Sequence, residues 1–237
     1  MRPRYGALVR SARRSFVLAL VGGVSLLAAC GADQAPEVAP TTTAPVGLEA
    51  DACLVRVHGR GDTGALPVER DGYVELAPTG NAVDGDGHVW LYGDDEEYTA
   101  ALARITSAVE AVGCERVVLN GFSNGGGFVG RLLCRGEDLD GALRGVVLDD
   151  PVPDEGATGC APPPSTQVAV YWTGALTAAA PGTSCASIGY VCFGDEVVGI
   201  DAYAASVGAE VQASPNTEHV WFREAPETTA WLDVGGS

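Results

Sequence analysis

Residues 116–127 read RVVLNGFSNGGG. A short apolar, β-branched run, Arg116 to Asn120, is followed at once by a serine set among glycines. The run reads as a buried strand, and Phe128 to Cys134 continues as a helix, so Ser123 falls at a strand-to-helix turn. Gly121-Phe122-Ser123-Asn124-Gly125 matches the spacing G-x-S-x-G. The match alone says little in a chain with 32 glycines; its place between a strand and a helix gives it physical content. Such a turn holds the serine backbone in a strained conformation, so the residues two positions either side must lack a Cβ. It lifts the serine oxygen clear of the sheet. It also leaves the backbone N–H of Asn124, at a helix N-terminus, free to donate to a developing oxyanion.

Outward from this turn, strand-like and helix-like stretches alternate. Ala52 to Val57 (ACLVRV) reads as a strand and runs into His58-Gly59-Arg60-Gly61-Asp62. Gly72 to Leu76 reads as a second strand. After Asp94 and Asp95, the apolar residues Tyr98, Leu102, Ile105, Val109 and Val112 recur at helical spacing, and Gly113 stops the helix. Further strands are expected at Gly145 to Leu148, ending in Asp149-Asp150-Pro151, at Gln167 to Trp172 and at Glu210 to Ala213. Helices are expected over Asp201 to Val207 and Ala225 to Leu232, with His219 in the loop between the last strand and the last helix. Residues 77–95, rich in glycine and acid, read as a surface loop. Within it, Asp84-Gly85-Asp86-Gly87 fails as a calcium-binding EF-hand loop, because Val89 and Asp95 stand where glycine and glutamate are needed. Alternating elements and continuous rather than alternating β-branched runs point to an α/β domain, with a mostly parallel sheet covered by helices on both faces.

The N-terminus reads as a targeting segment. Arg2, Arg4, Arg10, Arg13 and Arg14 precede an apolar stretch from Phe16 to Ala29 that is interrupted by glycine. Leu27-Ala28-Ala29-Cys30 resembles a bacterial lipobox, which implies cleavage before Cys30 and a lipid on its sulfur. Arg13-Arg14-Ser15-Phe16-Val17 resembles a twin-arginine signal, so that route and the general secretory route both remain open. The expected organisation is a signal peptide over residues 1–29 and a lipid-anchored cysteine with an Ala/Pro/Thr-rich tether over 30–50. One domain over 51–237 follows. The expected location is the outer face of the bacterial cell membrane.

The sequence contains no lysine. Past residue 29 it carries nine arginines against 31 acidic residues, a formal balance of −22. Such a surface argues against nucleic acid or anionic lipid as a partner of the domain. Lipid on Cys30 would leave six cysteines, an even number suited to disulfides in an exported domain. No C-x-x-C pair occurs, and neither metal nor cofactor is expected.

The stretches VRVHGRGD, YVELAP, VVLNGFSNGGGF, FGDEVVGIDAYAASVGAEV and TEHVW together resemble the α/β-hydrolases, and within them the esterases similar to polyester depolymerases and feruloyl esterases. The resemblance implies a nucleophile, an acid and a histidine in that chain order. Ser123 is then the nucleophile. His219 is the base, the one histidine of three that follows Ser123. Asp195, in Gly194-Asp195-Glu196, matches the acid turn 24 residues before His219, with Glu196, Asp149 and Asp150 as open alternatives. His58-Gly59-Arg60-Gly61 resembles the oxyanion-hole segment, with the N–H of Arg60 (or Gly61) joining that of Asn124. Trp221 either lines an acyl pocket or packs in the core. The implied activity is hydrolysis of a small or polymeric ester at an open site without a large cap domain. The alternatives are amide or peptide hydrolysis by the same residues, or a hydrolase fold that binds envelope material without catalysis. In this topology, the strand before the serine and the helix after it bring Cys114 and Cys134 to one edge, which suggests a Cys114–Cys134 disulfide. Cys185–Cys192 would steady the acid turn, and Cys53–Cys160 remains.

Overall fold

The computed structural model describes residues 48–152, 162–174, 192–193, 196–197 and 200–233. Their elements in chain order are β1 (Ala52–Val57), β2 (Ala65–Arg70), β3 (Tyr73–Ala77), β4 (Ala82–Asp84), β5 (Gly87–Val89), α1 (Asp95–Val112), β6 (Arg116–Phe122), α2 (Ser123–Cys134), β7 (Leu143–Asp149), β8 (Gln167–Trp172), β9 (Cys192–Phe193), β10 (Glu196–Val197), α3 (Ile200–Ser206), β11 (Val211–Ala213) and α4 (Glu227–Ala230). Among the described residues, seven strands form one sheet in the order β11-β8-β7-β6-β1-β3-β2. Every pair in it is parallel except the edge pair β2–β3. The central strand β1 is buried along its whole length, as a strand covered on both sides must be.

The two faces of the sheet are covered differently. Val55, Leu119, Leu148 and their same-face neighbours pack under α1, α2 and α3 through residues such as Ile105, Phe128, Leu132 and Tyr203. On the opposite face, Leu54 and Val118 meet Trp231 and Leu232, while Val147 and Ala169 meet Phe222 and Ala225. Among the described residues, apart from the single turn of α4, this second cover is made of turns and irregular chain. Helix α1 starts where Asp94 accepts a hydrogen bond from the Glu97 N–H (2.9 Å) and stops at left-handed Gly113.

Two expectations change here. Residues 77–95 are not a surface loop throughout: they contain the β4–β5 hairpin and end in buried Trp90 and Tyr92. Trp90 stacks on Phe128 at 5.3 Å, so two aromatics inside a polar stretch tie it to the core. Strand β2 was not expected. It carries Pro67 and is mostly exposed, which suits an edge strand.

The disulfide expectation also changes. Cys53 bonds to Cys114 with a Cα–Cα distance of 5.8 Å. That overturns both Cys114–Cys134 and Cys53–Cys160. The cause is strand order: β1 pairs with β6 from Ala52↔Arg116 onward, and the N–H groups of Glu115 and Arg116 both reach Asp51 O. Residue 114, which leads into β6, therefore lies at the same end of the sheet as residue 53. Cys134 is itself disulfide-bonded. Cys30, Cys160, Cys185 and the Cys192 side chain lie outside the described residues.

Candidate active site

The loops at the carboxyl ends of β1, β6, β7, β8 and β11 converge on Ser123. That end of an open parallel sheet is where α/β proteins build sites. Ser123 has φ 53°, a left-handed conformation that a residue with a Cβ rarely adopts. The turn is held by close packing. A Cβ on Gly121 would stand 2.9 Å from Gly125 O and Gly126 Cα, and one on Gly125 would run into the carbonyls of Val57 and His58. The Ser123 carbonyl accepts the Val152 N–H at 3.0 Å. Helix α2 begins at Ser123 itself, five residues earlier than the sequence suggests. The Asn124 amide therefore falls in the first turn, where N–H groups have no partner within the helix. The Asn124 side chain is occupied elsewhere: it accepts the Trp90 N–H at 2.9 Å and donates to the Trp90 carbonyl at 3.1 Å.

His219 Nε2 lies 2.9 Å from Ser123 Oγ, and His219 Nδ1 lies 3.0 Å from Asp150 Oδ2. A carboxylate at Nδ1 puts the imidazole proton there and turns the Nε2 lone pair toward the serine hydroxyl. Asp150 is fully buried. Its Oδ1 accepts the Thr173 N–H (2.8 Å) and its Oδ2 the Thr173 hydroxyl (2.7 Å). Asp195, expected beside His219, lies outside the described residues, as does the side chain of Glu196. The carboxylate in contact is Asp150, one of the alternatives. It follows directly on β7, which pairs with β6, so no long excursion is needed to bring it beside the serine strand.

Asp149 faces elsewhere. Its Oδ2 accepts the Phe222 N–H at 2.5 Å, while its buried Oδ1 has no hydrogen-bond partner among the described residues. Burial, with the Asp150 charge adding to it, pushes its carboxyl up to about 7.

The segment after β1 passes against the serine: a Cβ on Gly59 would stand 3.3 Å from Ser123 Cβ. His58 anchors this segment. Its Nε2 accepts the Gly80 N–H (3.0 Å), so Nδ1 carries the proton and donates to Gly59 O (2.7 Å). Burial lowers its pKa, which favours this neutral form. Of the two amides considered for an oxyanion hole, that of Gly61 is bonded to His88 O at 2.8 Å. That of Arg60 makes no backbone hydrogen bond among the described residues. The Arg60 side chain turns outward to Asp84.

Phe122 stacks on His219 (4.6 Å) and on Trp221 (5.7 Å). The Trp221 indole donates to Asn120 Oδ1 at 2.9 Å, so this residue packs on the sheet. Thr173, Asn120, Arg56 and Phe122 were not singled out from the sequence. A signal for two of them was present: Arg56 and Asn120 are polar residues inside otherwise apolar strand runs. No cluster of three or more His, Cys, Asp or Glu suited to a metal ion occurs among the described residues.

No protein-family profile matches the chain, and no curated protein does. Among solved structures it is similar to the protein Atu2452 of unknown function from Agrobacterium tumefaciens, at 17% identity and TM-score 0.46, over 77% of this chain and 88% of that one. It is similar to the Pyrococcus furiosus esterase Pf2001 at 19% identity and TM-score 0.31, over 43% of each chain. It is also similar to brefeldin A esterase, a bacterial homologue of human hormone sensitive lipase, at 25% identity and TM-score 0.27, over 49% of this chain and 35% of that one. The chain thus spans less than half the length of either esterase. Its own topology carries the fold assignment: a mostly parallel sheet with three helices over one face and the short α4 over the other, and a serine held at φ 53° between a central strand and a helix, make this an α/β-hydrolase fold.

Proposed function

We propose that this chain is a serine hydrolase that cleaves carboxylic esters through an acyl-enzyme. The observation that supports it best is the continuous relay Ser123–His219–Asp150, with both contacts at hydrogen-bond distance and the serine at a strained turn. His219 is 31% exposed while Asp150 is wholly buried, so substrate reaches the serine–histidine end and water is kept from the acid.

In the proposed reaction Ser123 Oγ attacks the ester carbonyl carbon as its proton passes to His219 Nε2. Asp150 holds the ring and stabilises the imidazolium. The amides of Asn124 and Arg60 donate to the oxyanion. Collapse breaks the bond to the alcohol oxygen, which takes the proton from Nε2. Water then attacks the acyl carbon, giving its proton to the same nitrogen. The acid leaves and Ser123 regains its hydrogen. The proposal includes export, cleavage before Cys30 and anchoring through a lipid there, with residues 31–50 as a tether and a small or polymeric ester as substrate.

The test is labelling with a fluorophosphonate probe together with hydrolysis of p-nitrophenyl acetate. Wild type should label once, at Ser123, and Ser123→Ala should lose both signals. Folded wild type that neither labels nor turns over would end the proposal. A matched pair of ester and anilide substrates separates esterase from amidase activity.

A further inference from the structure

The sheet face opposite α1, α2 and α3 carries a polar side chain on each of three adjacent strands: Arg56 of β1, Asn120 of β6 and Asp149 of β7. Arg56 is 7% exposed, and the other two are fully buried. Buried polar groups are costly in such a place unless each finds a partner. Their partners are three consecutive residues that begin two positions after His219. The Trp221 indole N–H donates to Asn120 Oδ1 (2.9 Å), the Phe222 backbone N–H donates to Asp149 Oδ2 (2.5 Å), and Arg56 Nη1 donates to the Arg223 carbonyl (2.7 Å). Two of the three are also joined to each other: Arg56 Nη1 donates to Asn120 Oδ1 at 2.6 Å, and Nη2 reaches Glu75 of β3 at 3.4 Å.

The reason lies in how this segment meets the sheet. It crosses the sheet face instead of adding a strand to its edge, so no neighbouring strand satisfies its backbone. The Phe222 N–H and the Arg223 carbonyl still need partners. Directional bonds from fixed strand positions also set where the segment sits along the face, which apolar packing alone sets only loosely. On the N-terminal side, the nearest backbone bond to the sheet is from Ser214 N–H to Trp172 O, and the bonds between there and His219 are local.

We infer that Arg56, Asn120 and Asp149 form a clamp that sets the position of His219 against Ser123 and Asp150. They are positioning residues for the base, acting through Trp221, Phe222 and Arg223. The inference rests on the reading of His219 as the base.

The test uses the full chain and p-nitrophenyl acetate. Asn120→Leu and Asp149→Leu remove an acceptor while keeping the branched shape of the side chain. Each should lower kcat about 10- to 100-fold, the range that a misplacement of about 1 Å produces, with KM changed less than about twofold. Fluorophosphonate labelling should slow in parallel. Asn120→Asp and Asp149→Asn keep the accepting oxygen and should stay within about threefold of wild type. The double variant Arg56→Met/Asn120→Leu should be little worse than Asn120→Leu, because the two act as one unit. Should the leucine variants fail to fold, Trp221→Phe removes one indole N–H without touching a buried strand residue, and should lower kcat about 3- to 10-fold. Wild-type labelling at Ser123 with unchanged kcat in folded Asn120→Leu, Asp149→Leu or Trp221→Phe overturns the clamp and leaves the hydrolase reading standing. Absence of wild-type labelling overturns both.

Discussion

Replacing Asp149 by asparagine removes an ionisation that folding opposes, and the size of the effect follows from where the carboxyl sits. Its pKa rises from an ordinary 3.8 to about 7 in the folded protein, chiefly because the group is buried. Between those two values the unfolded chain has lost the proton and the folded chain has kept it. The folded state then binds one proton more, so stability falls as pH rises, by about 1.4 kcal/mol per pH unit. Across the whole interval the loss is about 4 kcal/mol; from pH 5 to pH 8 it is about 3 kcal/mol, complete once pH passes the folded pKa. Asparagine has no such dependence, yet it keeps an oxygen for the Phe222 N–H. The assay is reversible urea unfolding of wild type and Asp149→Asn at half-unit steps from pH 5 to pH 8. The constant cost of the substitution cancels when each protein is compared with itself across pH, and all other titrating groups are shared. Wild type should lose about 3 kcal/mol relative to the variant over that range. Parallel stability curves would refute the reasoning, since they would mean that Asp149 is ionised in the folded state from pH 5 upward.

Asp150→Asn should lower kcat by roughly three to four orders of magnitude with Ser123 still present, because the imidazole loses the partner that holds its tautomer; steady-state kinetics read this. The same change at Asp195 should leave kcat within about threefold, and a large loss there would move the acid role back to that residue. Gly125→Ala brings a methyl group onto the Val57 and His58 carbonyls. It should cost at least about 1–3 kcal/mol, as overpacked sites do, seen as a lower denaturation midpoint. Removing the Cys53–Cys114 bond by alanine at both positions frees a loop with sequence separation 61. It should lower stability by about 4 kcal/mol on the chain-entropy account, read by urea titration against the oxidised wild type.

How much of this was legible depended on the range of the interaction concerned. The serine turn is local, and its demands appear as Gly121 and Gly125 at fixed offsets. Helix α1 is local too: its cap, stripe and stop lie within one stretch of chain. The Asp150–His219 contact joins residues 69 apart, and an aspartate carries no local mark of the histidine it will meet. Asp195 stands in a stretch of sequence of the expected pattern, whereas the place of Asp150 depends on β7 pairing with β6. The expected Cys114–Cys134 and Cys53–Cys160 pairings failed because pairing, too, follows strand order. Cys53 and Cys114 meet only because β1, first of the described strands, lies beside β6. Trp90 and Tyr92 were hidden among glycines and acids, where composition outweighs two aromatics. Arg56 and Asn120 could have been noticed, since a charge and an amide within buried strand runs require partners, although their partners lie 167 and 101 residues away.

The Cys53–Cys114 bond carries a consequence for the order of events during maturation. Both sulfurs belong to residues the finished core covers, one fully and one to within 8% exposure. A chain that folds before it is oxidised closes its central sheet over two thiols, which an oxidant in solution reaches only by reopening that sheet. Where folding and oxidation happen together, the bond forms while the strands are still separable. Material made in a reducing compartment should therefore differ from material of identical sequence made in an oxidising one. The difference should persist after transfer to air, as a memory of where the chain first folded.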